Sequence, residues 1–150
     1  MSIIDEIKKD HEKVKTLMEQ LEKGLHSKKG SATSQKTFDK IANELDIHTK
    51  AEEDTFYPAL QKFEEAKEKV MEAYEEHHVA RLLLGEMKQL SPGDDHFAAK
   101  FSVLQENVLH HMKEEEGPIF KICREVFGKS ELTQIGEEFV QDKKQIMQTA

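Results

Sequence analysis

Residues 48–58 read HTKAEEDTFYP, and residues 110–120 read HHMKEEEGPIF. In both, a histidine (His48, His111) stands four residues before a glutamate (Glu52, Glu115) and nine before an aromatic (Tyr57, Phe120). A four-residue step returns to the same face of an α-helix, so each His-x-x-x-Glu pair aims two donor groups at one point. Upstream of the first copy, Phe38, Ile41 and Leu45 share the stripe of His48, Glu52 and Phe56, and Pro58 should end or kink that helix. Upstream of the second, Phe97, Phe101, Leu104 and Val108 share the stripe of His111 and Glu115. Asp94 or Asp95 should cap it, and Gly117-Pro118 should stop it or bend it into a short continuation.

Two further stripes complete the pattern. Ser2 should cap a helix bearing Ile3, Ile7, His11, Val14, Leu17, Met18 and Leu21, closed by Gly24 and followed by the polar loop HSKKGSATSQK. After the charged stretch QKFEEAKEK, Val70, Tyr74, His77, Ala80, Leu83, Leu84 and Met87 form another, stopping near Leu90 at SPGDD. Setting His48 on His111 pairs Ile41 with Leu104 and Leu45 with Val108. Setting His11 on His77 pairs Val14 with Ala80 and Met18 with Leu84, so the chain reads as a weak internal duplication. His77, not His78, keeps the stripe. Four amphipathic helices with short or medium connections predict an all-α, up-down-up-down four-helix bundle over about 3–127. A short extra helix over about 131–147, capped by Ser130, should lie across it as packing, making 1–150 a single domain.

Composition sets outer limits. The 150 residues are 35% charged and 37% hydrophobic, without tryptophan and with few glycines and prolines, which favours helix over sheet. A net charge of −8 leaves no concentrated basic face for nucleic acid. The first residues, MSIIDEIKKDHEK, lack the apolar core of a signal peptide, and no run reaches the length of a membrane span, which fits a cytoplasmic protein. With Cys123 as the single cysteine, a metal site must use histidine and carboxylate. Four imidazoles and two carboxylates facing a bundle interior are costly to bury alone, and cations offset that cost. Two bridging carboxylates imply two metals, each with two nitrogens and two oxygens, a set suited to iron or manganese before zinc.

The segments KKDHEKVKTLMEQL, HTKAEEDTFYP, EEHHVARLLLGEM and HHMKEEEGPIF resemble, in order and spacing, the hemerythrin-like (HHE cation-binding) family over roughly residues 3–127. The resemblance implies two iron ions in a non-heme, oxo- or hydroxo-bridged centre, with His11, His48, Glu52, His77, His111 and Glu115 as ligands and the two glutamates bridging. Oxygen-carrying members have a second histidine on the third helix where this chain has Arg81; His78, or an acid such as Glu53, Glu114 or Glu116, would have to replace it. A ferritin-like site needs two Glu-x-x-His motifs, and only Glu75-x-x-His78 fits.

The remaining candidates read as ordinary residues: His26, His96 and His110 as solvated, Glu53, Asp54, Glu114 and Glu116 as a solvated face, and Cys123 as a packed thiol. Phe56, Tyr57 and Phe120 lie where they could shield a reactive centre. Three functions fit this pattern: binding of dioxygen or nitric oxide, decomposition of peroxide, and an iron-responsive or iron-holding module. No nucleic-acid or membrane partner is expected.

Overall fold

The Ser2 hydroxyl accepts from the Asp5 amide while the Asp5 carboxylate accepts from the Ser2 amide, a reciprocal cap that starts α1 (Ile3–Leu25). In the computed structural model, which describes residues 1–27 and 31–149, there follow α2 (Ser31–Ala51), α3 (Tyr57–Leu60), α4 (Glu64–Met87), α5 (Asp95–Glu114), α6 (Phe120–Val126) and α7 (Lys129–Thr149). A five-residue π-turn, Glu52–Phe56, joins α2 to α3, and another, Glu115–Ile119, joins α5 to α6. The long helices α1, α2, α4 and α5 pack as the expected up-down-up-down bundle. Among the described residues there is no strand, and no helix is long and apolar enough to cross a membrane.

The apolar residues gather at the two ends of the bundle. One cluster holds Ile3, Ile7, Phe56, Leu60, Val70, Phe120 and Phe139; the other holds Val14, Leu21, Phe38, Ile41, Leu84, Phe97 and Leu104. Between these clusters along the helices lie the buried polar residues Asp10, His11, His48, Glu52, His77, His111 and Glu115. Burying so many polar groups in one layer is tolerable only if they satisfy one another or a ligand.

Several boundaries differ from expectation. Gly24 does not close α1, which runs on to Leu25; Gly24 sits where α1 approaches α2, since a Cβ there would fall 2.6 Å from Ser34 Oγ. The predicted polar loop is helical from Ser31 onward, while its residues 28–30 lie outside the described residues. Pro58 and Pro118 stop neither helix. Within each π-turn the amide of Tyr57 reaches back five residues to the Glu52 carbonyl, and that of Phe120 to the Glu115 carbonyl. The widened turn relieves the clash a proline ring makes with the carbonyl four residues earlier. Asp94, rather than Asp95, caps α5. Ser130 lies inside α7, which begins at Lys129 just after Gly128, whose amide Glu131 Oε1 accepts at 2.9 Å.

The last helix is 21 residues long and packs along α1, α2 and the first π-turn. Gly136 permits the crossing, because a Cβ there would lie 2.8 Å from the Ile3 amide nitrogen.

Candidate metal centre

Facing helices bring all six predicted residues, His11, His48, Glu52, His77, His111 and Glu115, into one buried layer. They form two groups whose donor atoms lie within 4.8 Å of one another: His11, His48 and Glu115, and Glu52, His77 and His111. Both are positioned to coordinate metal ions. Each glutamate also touches both groups. Glu52 Oε1 is 3.2 Å from His48 Nε2 and 3.2 Å from His77 Nε2; Glu115 offers Oε1 to His11 Nε2 at 3.0 Å and Oε2 to His111 Nε2 at 3.5 Å.

The opposite nitrogen of every imidazole is tied to an outer carboxylate. His11 Nδ1 lies 2.7 Å from Glu116, His48 Nδ1 2.7 Å from Asp10, His77 Nδ1 2.7 Å from Glu53, and His111 Nδ1 2.8 Å from Glu76. An ionised carboxylate only accepts, so each Nδ1 carries its proton outward and each Nε2 faces the centre. These acids flank the six candidate residues in sequence: Asp10 precedes His11, Glu53 follows Glu52, Glu76 precedes His77 and Glu116 follows Glu115. Each holds a histidine on a neighbouring helix. The links run from α1 to α2, on to α4, to α5, and back to α1.

Glu53 and Glu116 therefore depart from the solvated face expected of them. Asp54 pairs with Lys50 and Glu114 with Lys69, away from the histidines. His78 is exposed, as are His26, His96 and His110. Arg81 points outward, giving a hydrogen bond of 2.6 Å to Glu53 and one of 3.2 Å to Thr49, and so braces the acid that holds His77. Asp10 and Glu76 escaped the sequence reading altogether. Their only signal is an acid directly beside a candidate histidine.

Tyr57 is wholly buried, and its hydroxyl donates to Glu115 Oε2 at 2.6 Å while lying 3.3 Å from Glu52 Oε1 and from the Nε2 atoms of His77 and His111. The π-turn makes this possible, because the five-residue step folds Tyr57 back beside Glu52. Phe120, its counterpart, has no hydroxyl to offer. Burial raises the Tyr57 phenol, Glu115 and Glu52 raise it further, and the group stays well above its ordinary value as a proton donor. Burial would lower His48, but the charge of Glu52 and the hydrogen bond to Asp10 outweigh it and push the imidazole up to about 10. His111 is raised well above its usual value against burial by Glu115, while Glu115 is held well below its own against burial by His111 and His11.

A metal fits this site on two grounds. His48 Nε2 and Glu52 Oε2 are buried without a hydrogen-bond partner among the described residues, and the Nε2 atoms of His77 and His111 face each other at 3.2 Å. An unpartnered ring nitrogen and carboxylate oxygen, and two ring nitrogens held this close, are what a cation satisfies. Beside the histidines, Leu45, Thr49, Ala80, Val108 and Met112 help line a cavity of about 20 Å³, room for a molecule of water size. Cys123 is buried beyond the layer; burial, with Glu115 adding, pushes its thiol up to about 12.

A profile of the hemerythrin HHE cation binding domain matches residues 2–123. A protein of Nostoc sp. named as a DNA nickase is 30% identical over 148 residues, covering 99% of this chain and 41% of the nickase, so the chain spans about two fifths of that curated relative. The crystal structure of a hemerythrin HHE cation binding domain-containing protein from Mycobacterium kansasii aligns with a TM-score of 0.81 at 23% identity, over 97% of this chain and 86% of that one. The likeness to that structure is one of fold.

Proposed function

Because the chain belongs to the hemerythrin HHE cation-binding domain family, we propose that it is a non-heme di-iron protein whose centre takes dioxygen or nitric oxide. His11 and His48 would hold one ion and His77 and His111 the other, with Glu52 and Glu115 shared between them. The observation that carries this reading is the convergence of four Nε2 atoms and two carboxylates whose other polar contacts already fix them in place. Iron bound there would supply redox-active, Lewis-acidic positions for a small ligand. The protein's own part is threefold. The outer acids orient the imidazoles, the surrounding apolar side chains keep the layer dry, and the small cavity admits only a ligand of a few atoms.

A second reading, decomposition of hydrogen peroxide, is favoured by Tyr57 and Arg81. Arg81 lies outside, so each group keeps two imidazoles, and the Tyr57 hydroxyl holds a proton at the centre. A proton donor there suits turnover better than storage of a ligand. The nickase name is not carried over, because a net charge of −8 opposes approach to a phosphate backbone.

Stopped-flow spectra of the reduced, iron-loaded protein, mixed separately with dioxygen, nitric oxide and peroxide, test these readings. A lasting adduct with dioxygen or nitric oxide supports the first, and rapid oxygen evolution from peroxide the second. Iron retained without reaction towards any of them would leave an iron-holding module.

A further inference from the structure

The family match ends at residue 123, yet two side chains of α7 reach the candidate centre. Lys143 Nζ donates to both carboxylate oxygens of Asp10, at 2.7 and 2.9 Å, and Asp10 Oδ2 in turn accepts from His48 Nδ1 at 2.7 Å. One turn earlier, Phe139 is fully buried with its ring edge-on to the His48 imidazole at 5.7 Å between centroids, and the Lys143 ammonium stands 5.5 Å from that ring. His48 is thus held from behind by an acid that α7 neutralises and from the side by a ring that α7 supplies.

The four outer acids are not alike. Glu53 has Arg81 as its partner, but with 40% of the arginine side chain exposed that pair is screened by water. Lys143 and Asp10 are 20% and 9% exposed, so their attraction is screened less and their geometry is more constrained. An acid locked by a half-buried cation keeps one orientation, and so does the imidazole that donates to it.

We infer that Lys143 is a positioning residue of the metal centre: α7 fixes Asp10, and through it His48, so that retention of the ion at His11, His48 and Glu115 depends on a helix outside the matched region. This rests on the two-metal reading above. Lys143→Met keeps most of the aliphatic stem while removing the charge, and Lys143→Arg keeps the charge.

Titration of the metal-free protein with Co²⁺, followed by visible absorption, separates the outcomes. The wild type should take two ions. Lys143→Met should weaken one of them by about 10-fold, the lower end of what loss of a ligand's direct outer partner costs since the lysine acts through Asp10, and leave the other unchanged. Lys143→Arg should restore the weakened site, and exposed Lys144→Met should alter neither. In an Asp10→Asn background Lys143→Met should have no further effect, since the lysine acts through that carboxylate. Two unchanged sites, two sites weakened alike, or a full Lys143→Met effect without the Asp10 carboxylate would each overturn the inference. A wild type that binds fewer than two ions would instead overturn the two-metal reading on which it rests.

Discussion

Glu52 touches a histidine of each group through one oxygen, and Glu115 does so through two. Glu52→Ala or Glu115→Ala should therefore release both metals together, and elemental analysis finding one ion retained would show that the groups fill independently. Without metal, protons take the cations' place. Burial lowers His48, but Glu52 and Asp10 raise it from 6.5 to about 10, so its contribution to stability is complete below 6.5, declines as pH rises, and is gone above the folded value. Urea midpoints of the metal-free protein should fall steadily across that window, and a flat profile would refute the pairing. Tyr57→Phe leaves Glu115 Oε2 without its shortest donor and should cost the metal-free protein about 1–3 kcal/mol, read from the same curves. The shared inward face of His11, His48, Glu52, His77, His111 and Glu115, and the outward one of His78, were legible because helical period marks the face a residue occupies. Asp10, Glu53, Glu76 and Glu116 were not. An acid next to an inward-facing residue points about 100° away from it and reads as solvent-facing until a neighbouring helix is set beside it.

Pro58 and Pro118 show why element boundaries were harder to read than element types. Proline stops a helix by a local clash, but a turn widened by one residue removes the clash and carries the chain through. No sequence period announces that widening. Deleting Thr55 should close the first π-turn to ordinary helix, keep Tyr57 on the face of Glu52 by a four-residue step, and set the Pro58 ring against the carbonyl four residues before it; a loss of about 3 kcal/mol in urea unfolding, relieved by Pro58→Ala in the deletion background, would report this. The crossing of α7 over the amino terminus was equally invisible, because it depends on an absent side chain. Gly136→Ala should destabilise the protein by about 1–3 kcal/mol despite alanine's higher helix propensity, measured by thermal or urea unfolding, since the added methyl meets backbone.

Across the whole molecule, the polar layer lies between two apolar clusters, so occupancy of the centre and cohesion of the bundle should rise together. A ligand at a hundred times its Kd adds about 2.7 kcal/mol per site if it binds only the folded chain. Two filled sites should therefore raise Tm by roughly 10–20 °C for a chain of this size, checked by calorimetry with and without Fe²⁺ under argon. The bundle itself was legible from four stripes, whereas the lysine that reaches Asp10 from 133 residues away was not. The ring of outer acids has a further consequence. Exchanging α1 with α4 and α2 with α5 carries Asp10–His48 onto Glu76–His111 and Glu53–His77 onto Glu116–His11, so the ring obeys an approximate two-fold symmetry. A perfectly symmetric pair of ions would have no preferred side for an incoming ligand. Three side chains break the equivalence: Tyr57 where the second half has Phe120, Arg81 behind Glu53, and Lys143 behind Asp10. Any preference between the two groups is then written in the departures from the duplication rather than in the residues it repeats.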